Sequence, residues 1–277
     1  MLKTMNSLTT RVISAILAII GLGLLFYFFK INGLKFICLL TVLVGSRELL
    51  RILFFDETSK SVKFAFYLFS IIVFVISCLY PELGTTSFAA CSILFCITAL
   101  IYQHKFEDLN AIALYQAKGL LGFFYIGLLP ASVYRLLLLP NGLNWFISLL
   151  AIVFAGDTFA YFFGSIWGKH KIMPKISPKK SYEGSFGGLV GSTSAAVLTL
   201  WFVPYAPIWS VILLGIIVGA IAQLGDLFES LLKRVANVKD SGSIMPGHGG
   251  ILDRLDGVLF ASPILLIGAS LLDKFFS

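Results

Sequence analysis

The sequence predicts an all-α fold, a polytopic bundle of about nine transmembrane helices with its N-terminus in the cytoplasm. Three observations carry that reading. Hydrophobic residues make up 58% of the 277 and charged residues 13%, against about 25% charged in ordinary soluble domains. Mean hydropathy is +0.94. Apolar runs of roughly twenty residues recur from end to end, each long enough to cross about 30 Å of hydrocarbon. A transmembrane barrel is excluded, because its strands would read as short alternating segments.

In order, the predicted spans cover 12–29, 34–54, 64–80, 86–103, 119–138, 143–164, 186–205, 207–228 and 256–273. The first follows Lys3 and Arg11, as a signal peptide core would. It is longer than such a core, and "FYFFKING" offers no small-residue cleavage site, so it reads as an anchor. The span at 34–54 contains Arg47, Glu48 and Arg51, and the span at 119–138 contains Arg135. Ionisable residues in 1–140 otherwise sit mostly at span ends, where snorkelling or loop exposure is expected. The whole chain, 1–277, reads as a single integral membrane domain, with 1–140 mainly anchoring and 150–260 catalytic.

The net charge of +7 would suggest nucleic acid in a soluble protein. Here topology accounts for it, and no nucleic-acid partner is expected. Lys3, Arg11, Lys60, Lys63, Lys105 and Lys118 fall on one side, as do Lys169, Lys171, Lys175, Lys179, Lys180, Lys233, Arg234, Lys239 and Arg254. The other side holds mainly Lys30, Lys35 and Lys274. The positive-inside rule makes the first side cytoplasmic. The four cysteines, Cys38, Cys78, Cys91 and Cys96, lie in apolar runs without CxxC spacing and read as packing residues.

Polar chemistry gathers in the C-terminal half. In "FAGDTFAYFFG", Asp157 sits well inside an apolar run. A carboxylate at that depth costs at least about 2.5–3.5 kcal/mol and needs a partner or a water-filled cavity. It is either a metal or proton site, or a structural aspartate paired with a hydroxyl or Arg135. In "QLGDLFES", Asp226 and Glu229 are spaced to share a helical face, with Lys233 and Arg234 following.

Two glycine- and lysine-rich segments complete the set. "PGHGG", Pro246 to Gly250, precedes "ILDRLDG", in which Asp253 and Asp256 share a helical face. A glycine turn entering a helix presents free amides and the positive dipole end to a phosphate. Carboxylates on that helix suit a divalent cation bridging to the same phosphate, although acids also cap helix starts for structural reasons. His248 is a loop hydrogen-bonding residue or a donor to phosphate. "SPKKSYEG", with Lys179, Lys180 and Ser181, reads as an anion-receiving loop. Walker A, GxSxG and HExxH motifs are absent. Metal-assisted phosphoryl or nucleotidyl transfer on a lipid is the inference these residues support.

The segment "SLLKRVANVKDSGSIMPGHGGILDRLD", Ser230 to Asp256, resembles the signature of the bacterial phosphatidate cytidylyltransferases, or CDP-diacylglycerol synthases. Ser230, Lys233, Arg234, Lys239, Asp240, Pro246, His248, Gly249, Gly250, Asp253, Arg254 and Asp256 occupy its fixed positions; Met245 is a mild departure. "SPKKSYEG", "GDTFAYFFG" and "QLGDLFES" are similar to further family elements, so the resemblance covers roughly 150–260.

The resemblance implies transfer of CMP from CTP to phosphatidate, giving CDP-diacylglycerol and pyrophosphate at the bacterial inner membrane. It implies Mg²⁺, leaves room for a second, monovalent cation, and implies a homodimer. Asp226, Asp253 and Asp256 then become metal carboxylates, with Asp157 a further ligand or supporting group. Lys239 joins Asp226, Asp253 and Asp256 as catalytic. Lys179, Lys180, Ser181, Lys233, Arg234, His248, Gly249, Gly250 and Arg254 hold substrate. A membrane polyprenol or lipid kinase and a cation-coupled transporter stay open as alternatives, and CTP-dependent pyrophosphate release separates them.

Overall fold

The computed structural model describes residues 20–21, 23–54, 60–201, 203–244 and 249–276. Its helices are α1 (Ile31–Leu53), α2 (Lys60–Leu79), α3 (Gly84–Ile101), α4 (Leu109–Gly122), α5 (Leu129–Leu136), α6 (Gly142–Trp167), α7 (Tyr182–Leu198), α8 (Ile208–Val235) and α9 (Leu252–Phe276). A single wide turn of π-helix, Phe123–Leu128, joins α4 to α5. Between α6 and α7 lies an antiparallel hairpin, β1 (Lys171–Met173) and β2 (Ser177–Ser181). The sequence reading had a loop there.

Among the described residues, five segments are long and apolar enough to cross a membrane: Pro81–Ile101, Leu109–Leu136, Gly142–Trp167, Ile208–Val235 and Leu252–Phe276. The chain is therefore an all-α, multi-pass membrane protein. Half of the expected span at 12–29 lies outside the described residues. The run expected to begin at 119 begins at Leu109, because Asp108 caps it and its Oδ1 accepts from the Ala111 amide at 2.7 Å. Polar Asn110, Gln116 and Lys118 hide that first stretch from a hydropathy reading. α7, expected as a span at 186–205, is a helix of 17 residues.

Two compact units divide the chain, one within Met1–Ala131 and Ala236–Arg254, the other Ser132–Val235 with Leu255–Ser277. The first is held by an aromatic core. Phe95 stacks on Tyr115 at 4.5 Å, and Phe54 meets the Phe66 ring edge-on at 5.1 Å. Phe66 in turn stacks on Phe123 at 5.7 Å. Each such pair contributes about 0.5–1.5 kcal/mol beyond burial. Gly119 and Gly122 make the approach feasible, since a Cβ at either would overlap the Phe95 or Phe66 ring.

In the second unit α7 packs between α6 and α8 through small residues. A Cβ on Gly188 would meet Gln223 Nε2 at 2.7 Å, and one on Gly215 the Ala196 Cβ at 2.6 Å. Ser192 Oγ donates to the Ile152 carbonyl at 2.9 Å. Close backbone approach and interhelical hydrogen bonds are what hold helices together in lipid, where burial alone gives no drive. Near the end of α9, Asp273 Oδ1 accepts from Trp145 Nε1 at 3.0 Å and from the Tyr205 hydroxyl. Asn141 Nδ2 donates to that hydroxyl at 2.8 Å.

The cysteines stand as expected: all four are free, with Cys38, Cys78 and Cys91 buried and Cys96 half-buried.

Candidate functional site

In the first unit, the glycine-rich segment is built around an acid from α1. Glu48, the acid read inside the span at 34–54, is 2% exposed. Its Oε1 accepts from the Ile251 amide at 3.1 Å. Its Oε2 accepts from the Leu252 amide and from Ser241 Oγ, each at 3.0 Å. Leu252 opens α9, so Glu48 satisfies amides at that helix start which have no partner within the helix.

Asp253 ties the same segment from inside the sequence. Its Oδ2 accepts from the amides of Gly250 and Ser241 at 2.8 Å each, and from Ser241 Oγ at 2.9 Å. Ser241 has one hydroxyl proton and two carboxylate acceptors, so it donates to Glu48 and Asp253 alternately. The glycines follow from this packing. Gly249 has φ +85°, in the region L side chains avoid, and a Cβ there would overlap Asp253 Oδ2. A Cβ on Gly250 or Gly242 would overlap the Glu48 carboxylate. Lys239, Asp240 and Arg254 are exposed around this frame. Met245, Pro246 and His248 lie outside the described residues.

In the second unit, the hairpin, α8 and α9 gather the other predicted groups. Lys180 Nζ sits 2.6 Å from Asp226 Oδ2. One turn along α8, Glu229 is 1% exposed, and its Oε2 accepts from Lys233 Nζ at 2.8 Å. Asp256 interacts electrostatically with Asp226 and Glu229 and hydrogen-bonds Glu229. Its Oδ1 also accepts from the Gly257 amide at 2.7 Å. Among the described residues, no three His, Cys, Asp or Glu side chains form a ready metal cage.

The hairpin that presents Lys179 and Lys180 is fastened at three places. Ser181, 2% exposed, caps α7 by accepting from the Gly184 amide at 3.2 Å. Arg234 Nε donates to the Ile176 carbonyl at 3.3 Å. Glu183 accepts from the Lys169 and His170 amides, and His170 Nδ1 lies 2.6 Å from its Oε1. The His170 side chain, first among the causes, holds the half-buried Glu183 carboxyl down to about 2 from an ordinary 4.5. Lys179 is exposed, as is Asp157 on α6.

The structure therefore brings together Lys180 with Asp226, and Asp226 with Asp256, while Asp253 is joined to Gly250 and Ser241. Sequence reasoning missed Glu48 and Ser241. The signal for Glu48 was present, as an acid inside an apolar run, but its partners lie about two hundred residues further along the chain.

A model of the cytidylyltransferase family matches residues 9–272. The chain is 33% identical over 288 residues to a phosphatidate cytidylyltransferase of a Synechocystis species, covering 93% of this chain and 94% of that one. It is 39% identical over 182 residues to the Staphylococcus haemolyticus phosphatidate cytidylyltransferase, covering 65% and 67%. With a Staphylococcus epidermidis phosphatidate cytidylyltransferase the identity is 47% over 128 residues, covering 46% and 49%. Matched nearly from end to end, the chain belongs to the cytidylyltransferase family.

Proposed function

We propose that this protein transfers CMP from CTP to phosphatidate, producing CDP-diacylglycerol and pyrophosphate for phospholipid synthesis. The near full-length similarity to a phosphatidate cytidylyltransferase carries this reading. The acid and lysine groups make chemical sense of it, and the full signature from Ser230 to Asp256 favours it over the kinase alternative.

The nucleophile is a phosphate monoester oxygen of the lipid. Its second pKa is about 6, so it is largely ionised at neutral pH and needs no strong base. It attacks the α-phosphorus of CTP, and the bond to the bridging oxygen of the β-phosphate breaks as pyrophosphate leaves. The barrier is repulsion between anions, and cations that hold the groups in line lower it. Lys179, Lys180, Lys233 and Arg234 in the second unit serve this role, with Ser181 fixing the hairpin. In the first unit Lys239, Arg254 and His248 do so, with Gly249 and Gly250 letting the loop close on phosphate; the Gly250, Ile251 and Leu252 amides, expected to be free, are taken by Asp253 and Glu48.

The donor chemistry fits Mg²⁺. Asp226 already carries the Lys180 ammonium against one oxygen, and magnesium sites typically use one or two carboxylates together with substrate phosphates. Asp226 and Asp256, with Asp157 a further ligand, would hold the ion in the second unit; Asp253 is the candidate in the first. Bound there, Mg²⁺ would neutralise developing phosphate charge. A second, monovalent cation and a homodimer belong to the same proposal.

For topology we propose about nine spans with a cytoplasmic N-terminus. The single membrane domain is anchored mainly by 1–140, with the catalytic region, 150–260, at the cytoplasmic face of a bacterial inner membrane. The test is product identity. Full-length protein in detergent micelles, given phosphatidate, labelled CTP and Mg²⁺, should yield labelled CDP-diacylglycerol. Label appearing only as phosphate on a lipid alcohol would assign the protein to the kinases.

A further inference from the structure

Glu48 is a buried acid beside the signature segment that the proposed reaction leaves unused. It lies on α1, in the half of the chain read as anchor, yet both of its oxygens are committed to residues 241–252. Ser241 links it to Asp253, and Gly242 and Gly250 have no room for a side chain because its carboxylate fills the space. Ser241, Ile251 and Leu252, within the signature segment, thus hang on an acceptor supplied by another helix.

We propose that Glu48 is a positioning residue for cytidylyl transfer, holding Ser241 and the Gly250–Leu252 turn in place beside Asp253; this rests on the reaction proposed above. The geometry makes the requirement specific. Oε1 faces one backbone donor, and Oε2 faces a backbone donor and a hydroxyl. Glutamine keeps the volume but has one acceptor oxygen and one NH₂ group. Whichever way its amide turns, a donor meets a donor. The segment must shift, and groups displaced by about an ångström lose on the order of a hundredfold in rate.

The experiment compares wild type, Glu48→Gln, Ser241→Ala and the double variant as full-length protein with phosphatidate, CTP and Mg²⁺. Removing such a supporting partner should lower kcat by about 10–100-fold. KM for CTP should stay within about threefold, because the interaction acts on alignment in the transition state and not on uniform binding. A helix-packing role would instead reduce the folded fraction and leave kcat per folded molecule unchanged. Because Ser241 bridges Glu48 and Asp253, the double variant should lose less than the product of the two single losses.

Unchanged kcat in Glu48→Gln, or losses that multiply, would overturn the role. If Glu48→Gln does not fold, Ser241→Ala carries the test, and full kcat there overturns it equally. Wild type separates the two claims. Inactive wild type sinks the reaction and this role with it, whereas active wild type beside an undiminished Glu48→Gln sinks the role alone.

Discussion

Lys180, next to last in β2, places its ammonium 2.6 Å from the Asp226 carboxylate on α8. A residue expected to receive substrate phosphate and one expected to hold a cation thus form an ion pair.

Asp226→Asn removes the charge but keeps the shape. It should lower kcat by at least about a hundredfold, the scale seen when a preorganised charge is lost from an active site. Lys180→Met should cost less, about tenfold in kcat/KM, since the other cations of the hairpin and α8 remain. Steady-state kinetics on both variants checks the order, and a larger loss in Lys180→Met would contradict it.

Glu183 gives a pH signature. Its carboxyl is held down to about 2 from 4.5, chiefly by the His170 side chain. A depressed acid contributes stability that is complete above the ordinary value and disappears as pH falls through the folded one. Fastening of the hairpin base should therefore persist at pH 4.5 and fail towards about 2. The amide resonances of Lys169 and His170, which donate to Glu183, should titrate with a midpoint near the lower value. A midpoint at 4.5 would contradict the assignment.

At the far end of α9, Asp273→Ala would leave the Trp145 indole N–H and the Tyr205 hydroxyl without this acceptor. The expected cost is about 1–3 kcal/mol of stability. It should lower the thermal midpoint and leave kcat at permissive temperature unchanged. Thermal unfolding followed by Trp fluorescence, alongside activity, separates the two effects.

Gly250→Ala tests why the signature needs glycine there. The added Cβ overlaps Ser241 Oγ and Glu48 Oε2, so activity should fall by at least about tenfold, on the scale of losing a supporting contact. Activity within about twofold of wild type would show that the segment tolerates the shift, contrary to the packing described.

The extent to which the sequence disclosed this arrangement differs from residue to residue. Asp226, Asp253, Asp256 and Lys180 were legible because short spacings and neighbouring glycines bear on chemistry directly. Glu48 was not, because hydropathy shows only that an acid lies in an apolar run, and its partners are set by tertiary packing. The hairpin also escaped notice. "KIM" and "SPKKS" lack the alternation that marks strands, and their pairing is reinforced from outside by Arg234 on α8 and by Glu183. Asp253 illustrates a third case. Its place in the motif was plain, but the three hydrogen bonds its Oδ2 accepts depend on how residues 241–250 fold back.

The most direct measurement is pyrophosphate release by purified full-length protein in detergent, with phosphatidate, CTP and Mg²⁺ each omitted in turn and Asp226→Asn run alongside. Release that requires all three components and collapses in the variant is the predicted result. Release independent of phosphatidate, or none with CTP by an otherwise folded protein, would contradict the account.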